Sequence, residues 1–183
     1  MIDDLRRQTK HLHDRVEVAM QASKISDQSL REEDYKKLII TNFIVFESLK
    51  SALKKEGDLV YWFVDRTDDL HADLEQLGID STSFSDSSLF AEWSYHKKLG
   101  AIYVLNGSAL GGSMIARYLK EYDWIESSHF YRNDADIMNS WKKFKAHLES
   151  REASSAEKDE VITGAQETFE YFEKLASQYT LQH

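Results

Sequence analysis

Residues 100–117 read Gly100-Ala101-Ile102-Tyr103-Val104-Leu105-Asn106-Gly107-Ser108-Ala109-Leu110-Gly111-Gly112-Ser113-Met114-Ile115-Ala116-Arg117. Four of the chain's seven glycines fall between Gly100 and Gly112. The stretch is no phosphate loop: neither Gly-x-x-x-x-Gly-Lys-Ser/Thr nor Gly-x-Gly-x-x-Gly after a strand is present. Its apolar residues suit a helix. Gly107 and Gly111 are one helical turn apart, as are Ser108 and Gly112, so one face carries almost no side chains. Each interior glycine costs up to about 1 kcal/mol against alanine, so something must approach this backbone closely. The spacing allows either a second helix or a flat ligand, and by itself favours the helix. It also lets the helix bend.

The flanking sequence is helical in the same sense. There are no prolines among 183 residues, where average usage of about 5% gives about nine. A chain with so few breakers reads as all-α. The expected helices are Asp3 to Ala22; Ser29 to Lys55, opened by a Ser29-Leu30-Arg31-Glu32 capping box; Asp58 to Leu77, with a break allowed near Asp65–Asp68; Leu89 to Lys120; Asp134 to Glu149; and a last one capped at Ser154 and running to Tyr179. Residues 79–88 form a polar Ser/Asp loop inside one domain spanning 1–183. About seven helices are expected.

Composition excludes several chemistries. Twenty-three Lys and Arg against 32 Asp and Glu leave a charge of −9, which argues against a general binder of nucleic acid or anionic membrane. With no cysteine, disulfides, zinc-thiolate sites, iron–sulfur clusters and thiol nucleophiles are excluded. No apolar leader follows Met1-Ile2-Asp3-Asp4, and no uninterrupted apolar run approaches the roughly 20 residues that span a bilayer. A cytoplasmic protein without a membrane partner is expected.

The first helix carries His11 and His13. At about 100° per residue they point to different sides and cannot share a metal. Leu5, Leu12, Val16 and Ala19 make the buried stripe; His13 lies at its edge, with Arg6 on the same flank, and His11 faces solvent. Glu17, four residues on, can hold one imidazole nitrogen and leave the other free. By position alone, a half-buried histidine satisfied by Glu17 is the plainer reading. Glu126-Ser-Ser-His129 has the spacing of di-iron bundles, but only Asp68-Asp-Leu-His71 offers a weak second copy. His96, His147 and His183 lack ligand-like partners and are expected at the surface. Phe43, Phe46, Tyr61, Trp62 and Phe63 are expected in the core, and Asp65 to Asp69 on a solvated face.

Together the string Leu5 to Glu17 (LRRQTKHLHDRVE) and the glycine string resemble the heme oxygenases, particularly the bacterial branch. The first resembles their proximal helix, T-K-x-L-H-x-x-x-E; the second their distal helix, G-A-x-Y-V-x-x-G-S-x-L-G-G-x-x-I-x-R. Phe130-Tyr131, Trp141 to Leu148 and Ala165 to Phe169 resemble later landmarks in order. The resemblance implies a multi-helix bundle with a kinked Gly-rich distal helix. It implies that His13 binds heme iron, oriented by Glu17. It implies that Gly107, Ser108, Gly111 and Gly112 form the catalytic distal backbone over the porphyrin. Arg6 and Lys142, with Lys143 as a fallback, match basic positions meeting heme propionates, and Phe169 packs on the heme edge. The implied reaction opens heme, both substrate and cofactor, to biliverdin, carbon monoxide and ferrous iron. Electrons come from a partner such as a ferredoxin or an NADPH-linked reductase. Two departures stand out: Ser108 replaces the distal Asp of another branch, and Asn106 stands where the bacterial branch often has Glu. They leave open a non-catalytic heme carrier of the same fold; a related bundle enzyme acting on another small molecule is the third reading.

Overall fold

The computed structural model describes residues 1–84 and 88–178. Their regular structure is entirely helical: α1 (Ile2–Ala19), α2 (Ser23–Ser26), α3 (Glu32–Leu53), α4 (Gly57–Trp62), α5 (Thr67–Gln76), α6 (Tyr95–Leu110), α7 (Gly112–Leu119), α8 (Ala135–Ser150) and α9 (Ser155–Gln178), with two single 3₁₀ turns at Ser81–Ser83 and Ser88–Phe90. Nine α-helices among the described residues replace the expected seven: the Gly-rich stretch parts into two, and the short α2 forms between the first two expected helices.

The first expected helix ends at Ala19. Gln21 then takes φ 54°, a left-handed conformation that no helix continues through. α3 starts at Glu32, and the Ser29 capping box does not form. Instead the Asp34 carboxylate accepts from the Arg31 backbone N–H (3.2 Å) and from Lys24 Nζ (3.0 Å), which closes the helix start and ties α2 to it. The third stretch divides at 63–66, as the sequence allowed. The Gly-rich stretch parts at Gly111, where α6 ends and α7 begins. Residues 126–129 are not helical, so Glu126 and His129 do not form a helical Glu-x-x-His pair; His129 Nε2 lies 2.9 Å from Gln76 Nε2.

One apolar core joins the helices, with Leu5, Phe46, Phe90, Leu99, Ile102 and Phe144 fully buried. α3 runs through it and buries residues on nearly every side. α6 packs along α9, and α1 lies on α9's other flank. The α6–α9 crossing is backbone on backbone. A Cβ on Gly100 would sit 2.6 Å from Ala165 N, and one on Gly164 would sit 2.7 Å from the Lys97 carbonyl carbon. Helix packing therefore explains Gly100. Tyr95–Leu119 is long and apolar enough to cross a bilayer, a stretch hidden by counting uninterrupted apolar runs. It is broken at Gly111, and α6 packs into the core.

Some expected core and surface positions change places. Phe43, Phe46 and Phe63 are buried, but Tyr61 is 72% exposed. Within the expected acidic face Arg66 is buried: its guanidinium pairs with Asp69 and donates to the His129 and Phe130 carbonyls (2.9 and 2.8 Å). His96 is half-buried beside Glu157 and Glu160, and His147 stacks on Trp62 at 4.1 Å; neither is a free surface histidine. His183 lies outside the described residues.

Candidate functional site

A cavity of about 630 Å³ lies between α1 and α6, within the range of about 300–1,000 Å³ typical of small-molecule and cofactor sites. α1 lines it with Arg6, Thr9, Lys10, His13, Val16 and Glu17, one face at i, i+3, i+4 and i+7. α6 faces it with Tyr103, Val104, Gly107, Ser108 and Leu110, and Gly111 follows. Ile25 of α2, Leu38 and Asn42 of α3, Ile115 of α7, Trp141 of α8, and Phe169 and Phe172 of α9 complete the walls, together with Phe130 and Tyr131.

α1 is held at both ends. The Ile2 N–H donates to Glu149 Oε1 on α8 (2.7 Å), and Lys37 Nζ on α3 donates to the last carbonyl, Ala19 O (2.7 Å). Midway, the Arg15 guanidinium makes two bonds to the Glu173 carboxylate of α9. The face bearing His13 is thereby fixed against α9, where the Phe169 ring meets the imidazole edge-on at 5.9 Å.

His13 Nδ1 lies 3.8 Å from both Asp14 Oδ1 and Glu17 Oε1. Those distances exceed a direct hydrogen bond. They place two carboxylates on one side of the ring and none at Nε2 among the described residues. Lys10 Nζ donates to Asp14 Oδ2 (2.7 Å), and that bond holds the Asp14 carboxyl below the usual carboxylate range.

The α6 wall is bare where the sequence left a choice between helix and ligand. A Cβ on Gly107 would meet only the tip of the Trp141 ring of α8, Cη2 at 3.9 Å. Gly111 is similarly open, with Ser108 O at 3.6 Å and Ile115 Cδ1 at 3.9 Å. Ser108 Oγ donates to Leu105 O (2.8 Å). Gly112, expected on this wall, points elsewhere: it is buried against the Phe130–Arg132 backbone, and a Cβ there would stand 3.4 Å from Arg132 O.

Lys142 and Lys143 are likewise displaced. Trp141 faces the cavity, and a helix turns about 100° per residue, so both lysines are carried out to solvent. The cations lining the cavity are Arg6 and Lys10; Asp14, which pairs with Lys10, and Glu17 line it too. Asn106 is outside the cavity and fully buried; its Nδ2 donates to Trp62 O (2.8 Å) and its Oδ1 accepts from Val64 N (2.9 Å), joining α4 to α6. The Asn-for-Glu departure is thus a packing feature of the α4–α6 contact.

Sequence reasoning missed Lys10, Tyr103, Asn42, Tyr131 and Trp141. Two had a usable signal: Lys10 is three residues before His13, and Tyr103 four before Gly107, each on the same helical face. Burial raises the Tyr103 hydroxyl's pKa, and the Arg6 charge partly offsets it. The others are brought in by tertiary structure. Asp73, buried on α5, accepts from Ser128 Oγ (3.0 Å), His129 N (2.6 Å) and Phe130 N (3.0 Å), and Arg66 takes the two carbonyls. That grip turns Phe130 and Tyr131 into the cavity. Burial, then the nearby Tyr35 and Asp73, push the Tyr131 phenol far up, so it stays neutral; Asn42 Nδ2 reaches its oxygen at 3.4 Å.

Heme fits this chemistry: one imidazole, a facing wall of bare backbone, apolar sides, and Arg6 and Lys10 in the lining. Comparison with known proteins points the same way. A family model for heme oxygenase matches residues 86–178, just over half the chain. A curated heme oxygenase of Xanthomonas campestris pv. campestris (strain 8004) is 35% identical over 88 residues, 47% of this chain; the match spans only half of that protein's length. The fold is similar to heme oxygenase from Neisseria meningitidis, solved with NO and CO bound (TM-score 0.79, 20% identity, 97% of this chain and 90% of that one). It is also similar to heme oxygenase-1 from the cyanobacterium Synechocystis sp. PCC6803, solved in complex with heme (TM-score 0.75, 15% identity, 96% and 90%). With the family model matching just over half its length and both helical walls of the cavity in place, the chain belongs to the heme oxygenase family.

Proposed function

We propose that the chain, read as one domain over residues 1–183, binds heme between α1 and α6 and opens its ring with O₂ and reductant. The products are biliverdin, carbon monoxide and ferrous iron. The observation that carries this reading is the pairing of walls: His13 on one side, the uncovered backbone of Gly107 and Gly111 on the other. Bound heme supplies a redox-active iron and is itself the material consumed. His13 would hold the iron through Nε2, the nitrogen turned away from the Glu17 and Asp14 carboxylates, which lie 3.8 Å from Nδ1. Arg6, Lys10 and the Tyr103 hydroxyl receive the porphyrin carboxylates. Gly107 and Gly111 let the backbone approach the ring face. Ser108 Oγ donates to Leu105 O, which leaves its lone pairs able to accept a hydrogen bond from a molecule in the cavity. Phe169 packs on the imidazole and the ligand edge.

Electrons come from a separate donor, a ferredoxin or an NADPH-linked reductase, and the protein works in the cytoplasm. Hemin titration, then ascorbate or a ferredoxin system with an iron chelator, tests the reading. A 1:1 Soret band that decays into a broad bilin absorption is expected. A stable band leaves a heme-binding protein of the same fold; no band removes heme altogether. The variant His13→Ala is expected to lose at least about tenfold in hemin affinity, the factor set by about 1.4 kcal/mol of lost iron coordination.

A further inference from the structure

One file of aromatic rings leads from the cavity to solvent. Trp141 of α8 borders the cavity. The fully buried Phe144 ring, one turn on, stands 6.2 Å from it, and Trp62, the last residue of α4, stands 6.3 Å from Phe144 on centroid distances. Tyr61 packs edge-on against Trp62 at 4.8 Å, and its side chain is exposed. An oxidisable indole at the cavity, a second indole behind it and a phenol in water are thus joined in series. Electron tunnelling weakens exponentially with distance, so several short steps outrun one long one.

The surroundings set a direction. Lys145 Nζ lies 5.5 Å over the Trp141 ring and disfavours a positive charge resting there. Trp62 is faced instead by the His147 ring, stacked at 4.1 Å; burial, then Arg151, lower that imidazole's pKa and keep it neutral. A phenol must also shed its proton to give up an electron. Tyr131 borders the cavity too, but burial pushes its phenol and that of the nearby Tyr35 far up, so both hold their protons. Tyr61 can release its proton to water.

We propose that Trp141, Trp62 and Tyr61 form a relay that carries oxidising equivalents from the cavity to the protein surface. Hydrogen peroxide reduced at the bound ligand takes up two electrons and two protons and becomes water. Each electron leaves Trp141, which is refilled from Trp62, and Trp62 from Tyr61. Tyr61 loses its phenolic proton to solvent and is left as a phenoxyl radical, to which a small reductant such as ascorbate returns a hydrogen atom before the next electron passes. That peroxide is reduced in the cavity rests on the heme reading; the relay does not.

Two experiments test it. In the ligand-free protein, azide radicals made by pulse radiolysis take an electron from tryptophan. The indole-radical absorption is expected to pass into phenoxyl absorption in a first-order step independent of protein concentration, and Tyr61→Phe and Trp62→Phe are each expected to lose phenoxyl yield. In the hemin-loaded protein, hydrogen peroxide with a nitroso spin trap is expected to leave an adduct on Tyr61, read by mass spectrometry of the digest and lost in Trp141→Phe. Unchanged phenoxyl yield in Tyr61→Phe, a Tyr61 adduct that survives in Trp141→Phe, or an adduct on the exposed Trp124 with none on Tyr61 overturns the proposal. If Trp62→Phe does not fold, Tyr61→Phe, at an exposed side chain, decides. If the wild type binds no hemin, the heme reading falls and the azide-radical experiment still judges the relay.

Discussion

Gly107 and His13 face each other across one cavity, and each is expected to respond to a single methyl or a single ring. At Gly107 an added Cβ finds only Trp141 Cη2, at 3.9 Å. Gly107→Ala is therefore expected to raise thermal stability slightly, by up to about 1 kcal/mol of helix propensity, while weakening hemin binding. A melting curve and a hemin titration on the same sample check both signs. His13 was singled out by the resemblance to a proximal helix; its place at the edge of the α1 stripe, with Glu17 one turn on, favoured a half-buried structural histidine, and the ring is in fact exposed. Gly112 and Lys142 were misplaced for a common reason. Whether a helical residue faces a cavity depends on rotation about the axis, and one position shifts it by about 100°. Sequence spacing identifies the helix, whereas the neighbour packed against it identifies the face.

At the scale of elements, the crossing of α6 and α9 sets the distance between the cavity walls. Gly164→Ala would drive a methyl into the Lys97 backbone, which no side-chain rotation relieves. A loss of about 3 kcal/mol or more is expected, read by denaturant unfolding. The outcome is opposite to that at Gly107 for the same substitution. The α2–α3 junction makes a pH prediction. Burial works to raise the Asp34 pKa, but hydrogen bonds from Arg31 and Lys24 outweigh it, so the native value lies below the ordinary one. Its stabilisation is therefore present above the unfolded value of about 3.9 and is lost as pH falls through the lower native value. Asp34→Asn is expected to cost about 2 kcal/mol at neutral pH. The gap between wild-type and variant melting temperatures is expected to close in strong acid. The helices themselves were readable from periodicity and the scarcity of breakers. The breaks near Arg66 and in the glycine cluster were allowed for, but the one after Ala19 was not, because Gln21 is an ordinary residue that takes a left-handed conformation.

Over the whole molecule, a chain of net charge −9 lines its cavity with Arg6 as well as with the Lys10–Asp14 pair and Glu17. Global repulsion and local attraction then oppose each other for an anionic ligand. Arg6→Ala is expected to weaken hemin binding about tenfold at low salt and less as salt shortens the screening length toward about 8 Å. Titrations at two ionic strengths separate the local contribution from the global one. The local patch was half legible: Arg6 was found on the correct flank of α1, but its cationic companion is Lys10 of the same helix, and α8 supplies an aromatic wall in place of a lysine. That wall has an optical consequence. The Trp141 indole borders the cavity and packs against Tyr103 at 5.4 Å, so a coloured macrocycle seated there lies within energy-transfer range of a built-in fluorophore. Occupancy is written into the protein's own ultraviolet emission, and Trp141→Phe isolates that signal from the other three tryptophans of the chain.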